Sequence, residues 1–399
     1  MANIAAMKKT IASLLTQAPT SSGKSLMIVA ITQWFVAMTG RNVLVISPNA
    51  DITRQNYNEF IEWGSPASIF SAKLGVKSTR HPVIFGEPVT VNNSIDRFAT
   101  TNIGLVIIDE AISTTPTIKK IITALKEVND KLRLIGFEAQ PLKLGQGWIY
   151  KLDQHGHTVE SAKNPFWDRL IYKIPMRTIV EGGYVCPPMF FDSEQKIQYS
   201  DFWQTMNYDD APTYHVEQLQ RVSKNSVSFT PESIRAVYEG DDKLTDKIVS
   251  HVVKVTEFVR PHYAVLMFAG SLSHARYIAS LLPTDKTLVI DGDTDDGTRR
   301  TVKGRIERGD LWYLINYGVY TRGFSEWRIF AAAFLRETQS ANLFEQMAGR
   351  PIRHARANDG SIIKNEDGSL FKKFGMILDY AKNLSTQWPT EPYEPAAPM

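Results

Sequence analysis

The sequence predicts an α/β protein made of two similar units in tandem, each a mainly parallel sheet with helices on both faces. Three observations carry that expectation. Short apolar runs alternate with helical patterns along two separate stretches of the chain. Val, Ile and Leu run nearly unbroken within those short segments, as in strands buried on both faces. At 399 residues the chain has room for two to three domains.

In the first half the apolar runs are "IASLLTQAP", "NVLVISP", "EPVTVNN", "GLVIIDEA" and "LRLIGFEA". Each is short enough for a strand, and turn-forming residues flank most of them. Helical spacing falls between them, over Lys24 to Thr39 and over Ile52 to Trp63. The second half repeats the scheme with "YAVLMFAGS", "TLVIDGD", "WYLINYGV", "RIFAAAFLRE" and "KFGMILDYA", and with helical patterns over Ser273 to Leu282 and Ser340 to Arg350. The polar, aromatic-rich stretch between the halves reads as a linker with a small insertion. The expected organisation is a first domain over 1–190, a linker over 191–242, a second domain over 243–390 and a flexible Pro-rich tail over 391–399.

Bulk composition narrows the class. With 43% hydrophobic and 22% charged residues the chain suits a soluble globular protein. Net charge is +3, a mild excess that permits a nucleic-acid partner without requiring one, since a basic groove can sit on a nearly neutral whole. The single cysteine, Cys186, excludes an internal disulfide and a cysteine-rich metal cluster, and with 11 methionines it suits a reducing cytoplasm. "MKKTIASLL" (Met7 to Leu15) imitates a signal peptide, but its apolar part is short and no cleavage site follows, so none is expected. "LMIVAITQWFVAM" (Leu26 to Met38) is too short to span a bilayer and reads as a buried helix; no membrane partner is expected.

Two motifs carry chemistry. "APTSSGKS" (Ala18 to Ser25) follows a strand-like run and precedes a helix pattern. A phosphate-binding loop needs small residues so that backbone N–H groups face the anion, a lysine for the phosphate charge and a hydroxyl for Mg²⁺. Pro19, Thr20, Ser21, Ser22 and Gly23 supply the loop, Lys24 the charge and Ser25 the hydroxyl. Ala18 stands where glycine is usual, and an alanine fits if φ there is negative. Further on, "LVIIDEA" is an apolar strand ending in Asp109 and Glu110. Such a carboxylate pair can hold a metal ion and polarise an attacking water. Alone it also reads as a helix cap; with the loop in the same unit, the ATP-and-Mg²⁺ reading gains.

The chain resembles a superfamily-2 helicase of the DEAD/DEAH-like kind found in phages and in restriction and repair motors. "APTSSGKS" resembles motif I, "VISPNADITRQ" motif Ia, "VTVNNSID" motif Ib, "IIDEAI" motif II and "GFEAQP" motif III. "VLMFAGSLSHARYIASLL" is similar to motif IV, "INYGVYTRGFS" to motif V and "QMAGRPIRH" to motif VI. The resemblance implies two RecA-like domains sharing one ATP, with Lys24, Asp109, Glu110, Gln346, Arg350 and Arg353 catalytic. It also implies Ser25 and Asp109 at Mg²⁺, and Gly323 beside the nucleotide. An arginine supplied to the transferring phosphoryl group is worth about 10³–10⁵ in rate. Nucleic-acid backbone contacts are implied at Asn49, Asn92, Ser94, Ser271 and Thr321, each of which also suits a helix cap or turn. The expected substrate is DNA, single-stranded or branched, in a cytoplasm (a bacterial host's, for a phage protein), with replication or repair proteins as companions. An ATP-driven remodelling protein without strand separation, or an RNA helicase, is the alternative.

The pattern departs from the family in three places. The family usually carries a longer lead, with an adenine-reading glutamine, than the 17 residues ahead of Ala18, so base recognition is expected to be weak or to use other groups. Glu138 and Gln140 replace the motif III hydroxyls that link ATP turnover to unwinding. Ser325 stands where motif V usually ends in aspartate.

Overall fold

Strands apolar on both sides need cover on both sides, and two parallel sheets wrapped by helices provide it. The computed structural model describes residues 2–143, 146–208, 211–222, 229–240, 242–318, 326–338, 340–357 and 360–396. The chain divides into two units, Met1–Pro175 and Met176–Ala397.

The first unit contains strands β1 (Ser13–Gln17), β2 (Asn42–Ile46), β3 (Ser68–Ser71), β4 (Val76–Lys77), β5 (Val83–Gly86), β6 (Ile103–Asp109), β7 (Arg133–Glu138), β8 (Leu142–Lys143), β9 (Gly147–Trp148), β10 (Tyr150–Leu152) and β11 (Trp167–Lys173). Its helices are α1 (Ala2–Lys9), α2 (Lys24–Thr39), α3 (Ala50–Glu62), α4 (Pro88–Asn92), α5 (Ile95–Ala99) and α6 (Pro116–Val128). Among the described residues the main sheet runs β10-β11-β1-β7-β6-β2-β5-β3-β4, parallel throughout except for the β3–β4 pair. Side-chain alternation sorts the strands into two cores. Val43, Val45, Leu105, Ile107, Ile135 and Phe137 face α1, α2 and α3 through Met7, Ile28, Phe35 and Phe60. Leu44, Ile46, Val106, Ile108 and Leu134 face α4, α5 and α6 through Val91, Phe98, Ile118 and Leu125. The expected α/β class with helices on both faces is what this unit shows.

The second unit contains β12 (Pro188–Asp192), β13 (Gln204–Met206), β14 (Ala264–Ala269), β15 (Thr287–Ile290), β16 (Tyr313–Asn316), β17 (Ile329–Leu335) and β18 (Gly375–Asp379). They order as β13-β12-β18-β17-β14-β16-β15, every pair parallel. The helices are α7 (Met176–Glu181), α8 (Pro231–Ile234), α9 (Asp242–Val255), α10 (Leu272–Ser280), α11 (Asp296–Glu307), α12 (Ala341–Ala348) and α13 (Asn383–Gln387). α9 and α10 bury Ile248, Val252, Ala275 and Ile278 against Val265, Met267 and Ala333. On the other face Phe268 stacks on Phe334, Phe334 packs on Phe344 of α12, and Phe344 packs on Trp388.

Four sequence expectations meet a different structure. "EPVTVNN" is not a strand: Glu87 is extended, Pro88 opens α4, and the strand is the preceding β5. Proline lacks the N–H that a strand would use and fits the first helical turn, where that N–H has no partner anyway. The stretch from 191 to 242 is not only a linker. β12 and β13 add to the second sheet, and Tyr214 and Val237 enter its core. The chain division falls at Pro175, ahead of the expected 190. The Pro-rich end is packed as far as it is described, with Tyr393 buried against Trp388. Among the described residues no helix is long and apolar enough to cross a membrane.

Candidate functional site

The phosphate loop forms at the carboxyl end of β1, where parallel strands gather their loops. Ala18 is fully buried and its N–H bonds to the Glu138 carbonyl at 2.8 Å, which continues the strand pairing into the loop. Alanine is tolerated there for that reason: among the described residues the positive φ values in the loop fall at Ser21 (67°) and Gly23 (83°). Left-handed residues spaced along a short loop make successive N–H groups converge on an anion. Gly23 is the N-cap of α2, so Lys24 and Ser25 open the helix and its positive end faces the loop. The Ser21 and Ser22 hydroxyls are buried with no hydrogen-bond partner among the described residues. Buried donors without partners are costly, and a phosphate is the kind of group that satisfies them.

The carboxylates arrive on β6, two strands from β1 in the sheet. Asp109 ends the strand, and Glu110 follows with left-handed backbone, φ 58° and ψ 58°. That turn brings the Glu110 carboxylate to 4.0 Å from Lys24 Nζ, with both side chains largely enclosed. Asp109 is held on both oxygens: Asn56 Nδ2 donates to one at 2.8 Å, and the Glu110 N–H to the other at 3.1 Å. Burial first, and then the Glu110 charge, push the Asp109 carboxyl up to about 6, while Lys24 and Asn56 pull it down. Among the described residues no group of three or more His, Cys, Asp or Glu side chains gathers as a protein-only metal cluster.

Motif III sits on the neighbouring strand. Glu138 is fully buried at the end of β7, and its carboxylate accepts the N–H of Ile112 at 2.7 Å and of Ala139 at 2.8 Å. Burial, then the nearby Glu110, raise it to about 8. Gln140 is buried and accepts a bond from Gln17 Nε2 at 3.3 Å.

In the second unit, Ser340 caps α12 by accepting the Leu343 N–H at 3.2 Å. Gln346 is buried on α12 and donates to Asn342 at 2.6 Å. Arg350 follows the helix in a buried position, and Arg353 is half-buried. The segment carrying them is anchored to the stretch from Gly183 to Cys186. Cys186 N–H bonds to the Ile352 carbonyl at 2.7 Å, and the Cys186 thiol lies 3.3 Å from His354 Nδ1. His354 Nε2 pairs with the Gly183 carbonyl at 2.9 Å. Lys372 Nζ, fully buried, donates to the Trp327 and Ile329 carbonyls at 2.7 Å each, and its own carbonyl accepts from Cys186. Burial pushes the thiol up to about 11, so Cys186 is a neutral packing group.

The described residues among the expected nucleic-acid contacts all sit at helix ends. Asn49 is exposed and caps α3, accepting the Ile52 N–H at 3.0 Å. Ser271 caps α10, accepting the His274 N–H at 3.0 Å, and donates to Glu239. Asn92 ends α4, and Ser94 precedes α5 without a side-chain cap bond. Thr321 and Gly323, with Ser325, lie outside the described residues. Sequence reasoning missed Asn56, which joins Ser47 (3.1 Å), next to the motif Ia Pro48, to Asp109. The available signal was spacing: Ile52, Asn56 and Phe60 share one face of α3, and an Asn in an apolar stripe needs a buried partner.

Comparison with known proteins agrees with the fold. Residues 2–140 match the DEAD/DEAH box helicase family. Among curated proteins, none matches the chain in sequence. A putative HsdR subunit of a type I restriction enzyme from Vibrio vulnificus YJ016 is similar in structure, at 17% identity and TM-score 0.61, over 96% of this chain and 62% of that one. The helicase MrfA bound to DNA aligns at 14% identity and TM-score 0.54, over 95% of this chain and 45% of that one. Dbp5 from S. cerevisiae, bound to RNA and ADP BeF3, aligns at 12% identity and TM-score 0.52, over 92% of this chain and 78% of that one. The family match is thus carried by residues 2–140, and over both units the fold is similar to that of these solved helicases.

Proposed function

We propose that the protein couples ATP hydrolysis to movement along, or separation of, nucleic-acid strands, with DNA as its substrate. One observation carries the ATP site: Lys24 and Glu110 meet at 4.0 Å beside a loop whose Ser21 and Ser22 hydroxyls lack partners. In this reading the loop N–H groups and Lys24 hold the phosphates. Ser25 and Asp109 would hold Mg²⁺, which supplies charge neutralisation on the phosphate oxygens. Glu110 orients the attacking water and takes its proton at a carboxylate oxygen. Arg350 and Arg353 of the second unit stabilise charge on the transferring phosphoryl group, and Gln346 supports them.

The choice of DNA rests on the resemblance of the motifs to restriction and repair motors. Similar solved structures are bound to RNA in one case and DNA in another, and the fold is common to both. Asn49, Asn92, Ser94, Ser271 and Thr321 are proposed to face the backbone, where polar contacts carry little sequence preference. An ATPase assay with single-stranded, duplex and branched DNA and with RNA decides the substrate. Stimulation by RNA alone overturns the DNA reading. Strand displacement measured beside it separates a helicase from an ATP-driven remodelling protein. Lys24→Ala is expected to abolish turnover; turnover at the wild-type rate would remove the site assignment.

A further inference from the structure

Glu138 stands where the motif III pattern has a hydroxyl, and the structure gives each of its two carboxylate oxygens an N–H donor. Its main chain and side chain together touch three segments of the candidate ATP site. The Glu138 carbonyl accepts the N–H of Ala18, the first residue of the phosphate loop, at 2.8 Å. One carboxylate oxygen accepts the N–H of Ala139, inside motif III itself, at 2.8 Å. The other accepts the N–H of Ile112 at 2.7 Å, and Ile112 lies in the turn that directly follows Glu110.

We propose that Glu138 is a positioning residue for ATP turnover, its carboxylate bracing the turn after Asp109 and Glu110 against the end of β7. The inference rests on the ATPase reading above. Glu110 needs such a brace because its backbone is left-handed, at φ 58°. A non-glycine residue keeps that conformation only where its surroundings enforce it. The Glu110 conformation in turn directs its carboxylate toward Lys24. Close packing supports the same contact: a Cβ on Gly136, two residues before Glu138, would fall 2.9 Å from the Ala111 Cβ, so the turn lies directly on β7.

The chemistry explains why a carboxylate serves here. Two N–H donors from different segments converge on one side chain, and a carboxylate offers an acceptor oxygen to each. A serine or threonine hydroxyl is a single oxygen on a shorter stem. An isosteric glutamine keeps one acceptor and turns an NH₂ toward the other donor. Above about pH 8, where Glu138 is ionised, the variants therefore form a graded series: wild type keeps both of these bonds, Glu138→Gln one, Glu138→Ala neither.

Three measurements on the full chain test this: amide hydrogen exchange, affinity for a non-hydrolysable ATP analogue, and steady-state ATPase well below each variant's melting temperature. In Glu138→Ala the Ile112 amide should exchange faster while the Ile135 amide, in the middle of β7, keeps its protection. The turnover number should fall by about 10-fold to 100-fold, the scale of a misplaced reacting group. Analogue affinity should hold within about 3-fold, since the loop bond from Ala18 is made by the main chain, and such a change is under 1 kcal/mol. Glu138→Gln should fall between wild type and Glu138→Ala. The inference is overturned if the Ile112 amide stays protected in folded Glu138→Ala, if turnover is unchanged, or if turnover and affinity fall in parallel. Lys24→Ala, run beside them, separates this failure from failure of the ATPase reading: turnover that survives that change is not made at this site.

Discussion

Asn56 shows how a single side chain conditions the carboxylate it touches. Its amide donates to the Asp109 carboxylate at 2.8 Å and favours the charged form against the burial that opposes it. Asn56→Ala should therefore leave Asp109 harder to ionise and weaker toward Mg²⁺. Losing the outer-shell partner of a metal ligand costs about 10–100-fold in affinity or activity, so the Mg²⁺ concentration for half-maximal ATPase should rise by about 10-fold. An unchanged Mg²⁺ dependence would show that Asp109 is oriented without Asn56. Glu138 offers a second test at the same scale. Its folded-state pKa of about 8 lies above the ordinary 4.5, so the folded protein binds this proton more tightly than the unfolded chain does. Stability from this group is then highest below pH 4.5, falls as pH rises from about 4.5 to 8, and is level above that. Thermal melts of the nucleotide-free protein across that window should decline more steeply for wild type than for Glu138→Gln. Equal slopes would mean that Glu138 titrates normally.

At the scale of elements, close approach decides what the sequence permits. β18 begins at Gly375, where an added Cβ would lie 2.1 Å from the Pro351 carbonyl oxygen. That carbonyl belongs to the segment between Arg350 and Arg353, so β18 and motif VI are packed backbone to backbone. Gly375→Ala should force them apart and destabilise the second unit by about 1–3 kcal/mol, the range for overpacking in a close-packed interior. Chemical denaturation reads this directly, and a loss below about 1 kcal/mol would mean that the segment yields easily. The same element logic explains α4. The segment "EPVTVNN" looks strand-like by its valines, but Pro88 governs: fixed φ and no N–H suit a helix start.

At the scale of the molecule, each unit has its own sheet and its own core, built from residues of that unit alone. Met1–Pro175 should therefore fold as an isolated fragment with cooperative melting and bind an ATP analogue through the phosphate loop. It should not turn ATP over, because Arg350 and Arg353 belong to the other unit. A fragment that hydrolyses ATP at the rate of the full chain would show that those arginines are dispensable.

Much of this was legible in the sequence because it depends on local pattern. Unbroken apolar runs specify strands buried on two faces, and a loop of small residues before a helix specifies a phosphate site. α2 follows its predicted span from Lys24 to Thr39. The sequence by itself determined the α/β class, the paired units and the residue types of the proposed ATP site. Only the tertiary structure decided which side chains meet. Asn56 reaches Asp109 across 53 positions, and Glu138 reaches Ile112 across 26. Hydrogen bonds form between groups that parallel strand ends bring together, and strand order in a parallel sheet is set by crossovers that periodicity does not encode. For the same reason Asn49 and Ser271, read as backbone contacts, prove to be helix caps as well: a polar residue before a helix satisfies orphan N–H groups first, whatever else it later touches.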